Sequence, residues 1–166
     1  MVKRLPAAYA LAALRIAVGA LFVIFGESKV FDSWFTADGG FQTAVESFIQ
    51  QGVAYPFMVQ TLKTIVLPYG RFLAFIVAYG ELAIGLSLVT GVLARTASAF
   101  GAIYMVSLIF AASYPGDHVA FWRYFGFSLQ HLVFLLCFVT FAVSESAETW
   151  SLPASRWWLS LRGCID

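Results

Sequence analysis

At 166 residues, 61% of them hydrophobic and only 11% charged, the chain cannot clothe a water-soluble surface, which takes about a quarter charged residues. A net charge of +1 gives no sign of nucleic acid binding, and the length fits one compact domain. The composition therefore points to an all-α protein embedded in the lipid bilayer.

A spanning helix needs about 20 mostly apolar residues, and four segments qualify: 5–30, 71–94, 96–114 and 121–143. Together they form a four-transmembrane-helix bundle over residues 1–143. The first segment follows Lys3-Arg4, as a signal peptide would. Its apolar stretch runs past the usual length and is interrupted by Arg15, so the helix is expected to be retained.

The connection 31–70 opens with a turn signal, Asp38-Gly39-Gly40. Residues 41–49 then carry apolar side chains at helical spacing, and a second partly apolar stretch, 56–67, ends at Pro68. Both are too short or too polar to span. They are expected as short surface helices, lying on the membrane or folded over the bundle. A loop of this length usually has a function.

Spans two and three are joined tightly around Leu93-Ala94-Arg95-Thr96, and spans three and four through Pro115-Gly116-Asp117-His118. The tail, 144–166, is expected to be an amphipathic interfacial segment, with Trp150, Trp157 and Trp158 as anchors at the headgroup level. Lys3, Arg4, Arg95, Arg156 and Arg162 fall on one side of the bilayer. By the positive-inside bias both termini are then cytoplasmic. The opposite side holds Lys29, Lys63, Arg71 and Arg123, balanced by Asp32, Asp38, Glu46 and Asp117.

Charges inside spans carry the most information, because each costs a few kcal/mol unless it faces protein or water. Counting roughly 1.5 Å per residue from the cytoplasmic ends, Arg15 lies roughly 15 Å deep, and Glu81 and His131 roughly 20 Å. Tyr104 shares a mildly polar stripe on span three with Ser107. Arg15, Gly19, Phe22, Gly26 and Lys29 share one face of span one, and Glu81 shares a face with Gly85. Gly19, Gly26 and Gly85 are the candidates for close helix packing. Two readings follow. In one, Arg15 and Glu81 form a buried ion pair that fixes helix register, with His131 bonded to a backbone carbonyl or Gln130. In the other, Arg15, Glu81, His131 and Tyr104 line a polar pocket that binds a quinone head group or passes protons.

Other chemistry finds no foothold. Cys137 and Cys164 are far apart, with no C-x-x-C, which speaks against a disulfide framework or a zinc site. His118 and His131 are not paired at helical spacing, so a bis-His haem is not expected. No phosphate loop or nucleophile elbow is present. No metal site and no covalently bound cofactor are expected. Neither inverted repeats nor broken helices point to a transporter.

Arg15-Ile16-Ala17-Val18-Gly19, Phe25-Gly26-Glu27-Ser28-Lys29-Val30, Gly80-Glu81-Leu82-Ala83-Ile84-Gly85-Leu86-Ser87-Leu88 and Gly91-Val92-Leu93-Ala94-Arg95 together resemble the DoxX/DoxD family of four-helix bacterial and archaeal membrane proteins. The extended first loop, with Trp34-Phe35 and Gly39-Gly40-Phe41, looks more like the DoxD branch, the small membrane subunit of thiosulfate:quinone oxidoreductase. The resemblance implies that Arg15, Gly19, Gly26, Lys29, Glu81, Gly85 and Arg95 are the family's characteristic positions. It implies a bacterial or archaeal cytoplasmic membrane, partner subunits in a larger complex, and electron transfer from a sulfur compound to quinone. The alternative is a structural accessory subunit of a respiratory or photosynthetic complex, with no catalysis of its own.

Overall fold

The computed structural model describes residues 7–144 and 150, and every element among them is helical. Three helices are long and apolar enough to cross a membrane: α1 (Ala7–Phe31), α5 (Gly70–Thr90) and α6 (Ala94–Ala112). Between α1 and α5 lie α2 (Ser33–Thr36), α3 (Gly40–Gln50) and α4 (Pro56–Thr61), the last running on as a π turn, Leu62–Val66. After α6 come α7 (Phe121–Phe127) and α8 (Leu129–Val143).

The fourth span departs from expectation. Residues 121–143 are two helices bent by 73° rather than one rod. The break falls between Gly126 and Leu129. The Ser128 hydroxyl donates to the Tyr124 carbonyl at 2.7 Å, and a Gly/Ser pair is a common site of sharp helix kinks. The 15 residues of α8 rise only about 22 Å, less than the roughly 30 Å hydrocarbon core. Counted as one broken span, α7 and α8 together make a fourth candidate crossing.

The helices associate as two antiparallel pairs, α1 with α5 and α6 with α8, and touch one another more sparsely between pairs. Glycines set the first pair. A Cβ on Gly26 would lie 2.5 Å from the Leu82 nitrogen, one on Gly85 2.6 Å from the Val23 nitrogen, and one on Gly19 2.8 Å from the Leu88 Cβ. Gly19, Gly26 and Gly85 thus serve close backbone approach, as expected. In the second pair Gly101 receives the Phe138 ring. Val18, Phe22, Leu88, Met105, Phe138 and Phe141 fill the core where the pairs meet.

Span two stops at Thr90, short of residue 94, because Gly91 takes the left-handed conformation (φ 78°) and caps the helix. At the opposite end the 31–70 loop folds over the bundle. The Tyr55 N–H donates to the Phe110 carbonyl at 2.9 Å and the Tyr114 N–H to the Val53 carbonyl at 2.7 Å. These two bonds fasten the loop to the end of α6. Val45, Ala54 and Leu62 form a small core beneath it. Of the proposed tail anchors, Trp157 and Trp158 lie outside the described residues. Trp150 is half exposed, its ring 5.4 Å from that of Tyr9 on α1.

Candidate functional site

The α1–α5 register decides which charges meet. Gly26 faces Leu82, and Gly19 faces Leu88 and Val89. Continued along α1, that register sets Lys29 near Glu81 and Arg15 beside the Gly91–Leu93 turn. Lys29 Nζ indeed reaches both Glu81 carboxylate oxygens at 2.5 Å. The Tyr104 hydroxyl, from α6, donates to Oε1 of the same carboxylate at 2.5 Å. A carboxylate with 6% of its side chain exposed therefore has one charged and one neutral donor. The Lys29 ammonium also sits 5.3 Å from the centre of the Phe35 ring, a further hold on the cation.

The expected Arg15–Glu81 pair is therefore overturned. Fourteen residues separate Arg15 from Lys29, about 21 Å along the helix axis. Arg15 is fully buried, and its Nη2 donates to the Trp150 carbonyl at 3.3 Å. The depth count failed because it set the ends of the two spans level, whereas α1 overshoots α5 on the side of the Gly91–Leu93 turn. The proposed pocket loses Arg15 as a member for the same reason.

The other members do converge. Lys29, Glu81, Tyr104, Gln130 and His131 line one cavity of about 360 Å³, together with Phe22, Met105 and Phe134. Phe35, Phe41, Val45 and Phe48 of the folded-over loop roof it. His131 Nδ1 lies 3.1 Å from the Ser113 hydroxyl, so its partner is the serine just beyond α6 rather than Gln130 or a backbone carbonyl. The break at Ser128 starts α8 two residues before His131 and places that ring at the loop end of the cavity. Glu81 and Tyr104 close the deeper end. Between them the walls are aromatic, with Phe22 edge-on to Phe134 at 5.7 Å.

The sequence places Lys29 on the same face of α1 as Arg15, Gly19 and Gly26 and names no partner for it; the structure pairs it with Glu81. The signal that finds it is the glycine spacing: once Gly19, Gly26 and Gly85 are matched, Lys29 falls beside Glu81. Ser113 and the roof aromatics carried no such signal. Arg95 lies exposed in the first turn of α6, away from the cavity lining. Among the described residues no three His, Cys, Asp or Glu side chains gather closely enough to hold a metal.

Outside the spans, the Tyr114 hydroxyl donates to Asp117, and this bond pushes the Tyr114 phenol up to about 12. The Tyr55 ring lies 4.9 Å from that of Tyr114, and burial raises its own phenol.

In comparisons with known proteins, the DoxX family model matches residues 10–113. That range includes Lys29, Glu81, Tyr104 and Ser113 but stops before Gln130 and His131. No curated protein and no solved structure matches the chain.

Proposed function

The chain belongs to the DoxX family, and from that premise we propose that this multi-pass membrane protein is a non-autonomous subunit whose roofed cavity receives the head group of a quinone. The observation that carries the proposal is the cavity's order of chemistry. It has a hydrogen-bonding cluster, Lys29–Glu81–Tyr104, at one end, aromatic walls in the middle, and His131–Ser113 at the other end. A quinone is a flat apolar ring with acceptor oxygens at opposite ends, and its reduction to quinol takes up two electrons and two protons. A volume of about 360 Å³ lies within the usual range of small-molecule pockets.

In this reading the electrons come from a partner subunit that oxidises a sulfur compound, and this chain handles position and protons. Lys29, whose ammonium keeps one N–H beyond the two given to Glu81, and His131 face the two ends of the ring. Glu81 anchors both the Lys29 ammonium and the Tyr104 hydroxyl. The aromatic roof keeps bulk water from the ring. The subunit works in a bacterial or archaeal cytoplasmic membrane, with both termini on the cytoplasmic side.

Glu81→Gln tests the proposal, because it keeps the shape of the side chain and removes its charge. The variant is expected to assemble with its partners while quinone reduction per assembled complex falls by about 10²-fold, the scale of an ångström-sized misplacement of the groups that Glu81 anchors. Wild-type turnover in the assembled variant would leave a structural accessory subunit instead. In that case removal of residues 150–158 would be expected to weaken association with the complex.

A further inference from the structure

The hydrogen bond between Ser113 and His131 runs in one direction only. Ser113 follows the last turn of α6, and its N–H donates to the Ile109 carbonyl at 3.1 Å. The next residue, Tyr114, donates its own N–H to the Val53 carbonyl at 2.7 Å, so the backbone at Ser113 is held on both sides. The residue is sealed, with 1% of its surface exposed. Facing it, α8 begins at Leu129 and brings His131 Nδ1 to 3.1 Å from the hydroxyl.

A hydroxyl has one hydrogen to place. A neutral imidazole carries its hydrogen on one nitrogen and accepts at the other. Among the described residues the Ser113 hydroxyl bonds to His131 Nδ1. If Nδ1 held the ring hydrogen, the hydroxyl would have to accept, and its own hydrogen would be buried without an acceptor. A buried donor left unmade is the costly case. The imidazolium has the same fault, since both of its nitrogens donate. Every group is satisfied only when Ser113 donates, Nδ1 accepts, and the ring hydrogen sits on Nε2. Nδ1 turns to Ser113, which does not line the cavity, whereas the His131 ring does. Nε2, across the ring, is thus the nitrogen that the cavity meets.

We infer that Ser113 is a positioning residue that holds His131 as the neutral Nε2–H tautomer, so that this end of the cavity donates to an acceptor oxygen of the ligand. That the oxygen is a quinone carbonyl rests on the proposed function; the tautomer does not. Lys29 keeps one N–H at the other end, so a ring with a carbonyl at each end meets a donor at both. A ligand of the same shape without those oxygens would leave the Nε2–H unpaired.

The full chain is placed in phospholipid nanodiscs with isotope-labelled nitrogen in its 2 histidines. His118→Asn removes the second signal, and asparagine tolerates the left-handed backbone there (φ 58°). Nitrogen NMR is expected to show His131 as a single species, with Nδ1 bare and Nε2 protonated. This spectrum needs no change at Ser113, so it decides the tautomer even where a variant fails to fold. Ser113→Ala is expected to give a mixture of tautomers, and Ser113→Thr, which keeps a hydroxyl, to restore the single one. Saturating decyl-benzoquinone is expected to shift the Nε2–H signal, and decylbenzene, which lacks the oxygens, to leave it in place. In the same titration Ser113→Ala should bind decyl-benzoquinone about tenfold more weakly. A protonated Nδ1 with Ser113 intact would overturn the inference. So would a single Nε2–H tautomer in folded Ser113→Ala, since the serine would then decide nothing. If the tautomer depends on Ser113 while decyl-benzoquinone leaves Nε2–H unmoved, the positioning role stands and the quinone reading of the cavity fails.

Discussion

Removing Lys29 and Glu81 singly and together measures the contact at the centre of the site. At 2.5 Å and an effective dielectric near 20, the gross attraction is about 7 kcal/mol. Desolvation offsets several kcal/mol of that for each ion. The coupling left for a double-mutant cycle is about 1–3 kcal/mol. The single changes should be unequal. Lys29→Met leaves a carboxylate that is 6% exposed with Tyr104 as its remaining donor, and should cost about 3–5 kcal/mol. Glu81→Gln leaves an ammonium on a side chain that is 26% exposed and can turn towards water, so its cost should be smaller. The double variant should be milder than the sum. Reversible unfolding in mixed micelles, followed by tryptophan fluorescence, gives each value. The control is Arg15→Met combined with Glu81→Gln, which should be additive within about 0.5 kcal/mol at this separation. Additivity for Lys29 with Glu81, or coupling for Arg15 with Glu81, would refute the register on which the site is built.

Gly26→Ala should destabilise by about 1–3 kcal/mol, because its Cβ would press on the Leu82 backbone. Gly80→Ala, where a Cβ would meet nothing within 4 Å, should instead gain up to about 1 kcal/mol of helix propensity. Thermal midpoints in one detergent would show the opposite signs. Tyr114 should ionise at about 12, and Asp117→Asn should bring it down towards 10, as read by phenolate absorbance. The folded-state value is raised, so the bond's contribution to stability is complete below pH 10 and is lost as pH climbs from there through about 12. With Cys137 and Cys164 replaced by alanine, cysteines introduced at Asp117 and Ser144 should label from opposite faces of the membrane. Labelling from the same face would mean that the bent α7–α8 pair does not cross.

Hydropathy made the all-helical membrane fold legible, because a bilayer leaves a chain few alternatives. Glu81, Tyr104 and His131 were legible as a group, since polar residues in apolar helices face protein rather than lipid. Arg15 was misassigned because hydropathy locates a span without fixing its offset against the next one. That offset is set by glycine contacts such as Gly26 on Leu82, which only pairing reveals. The break at Ser128 was hidden for a related reason. Phe121 to Val143 reads as one apolar run, and the Gly126/Ser128 pair acts through a local hydrogen bond that does not change hydropathy. The roof was half visible: periodicity gave α3 and α4, but the bonds of Val53 and Tyr55 to the end of α6 are long-range and left no mark in the pattern.

The pairing of α1 with α5 and of α6 with α8 also fixes an order of biosynthesis. Each helix packs against the next crossing to leave the ribosome, so the bundle is made as two successive hairpins. Synthesis at about 5–20 residues per second completes the first hairpin while the second is still being translated. Lys29 and Glu81 both belong to the first, so their ion pair can form before α6 enters the bilayer. Tyr104, Ser113 and His131 arrive with the second hairpin. The nascent protein thus carries its ion pair while the cavity is still open on one side, and the arrival of α6 and α8 closes it.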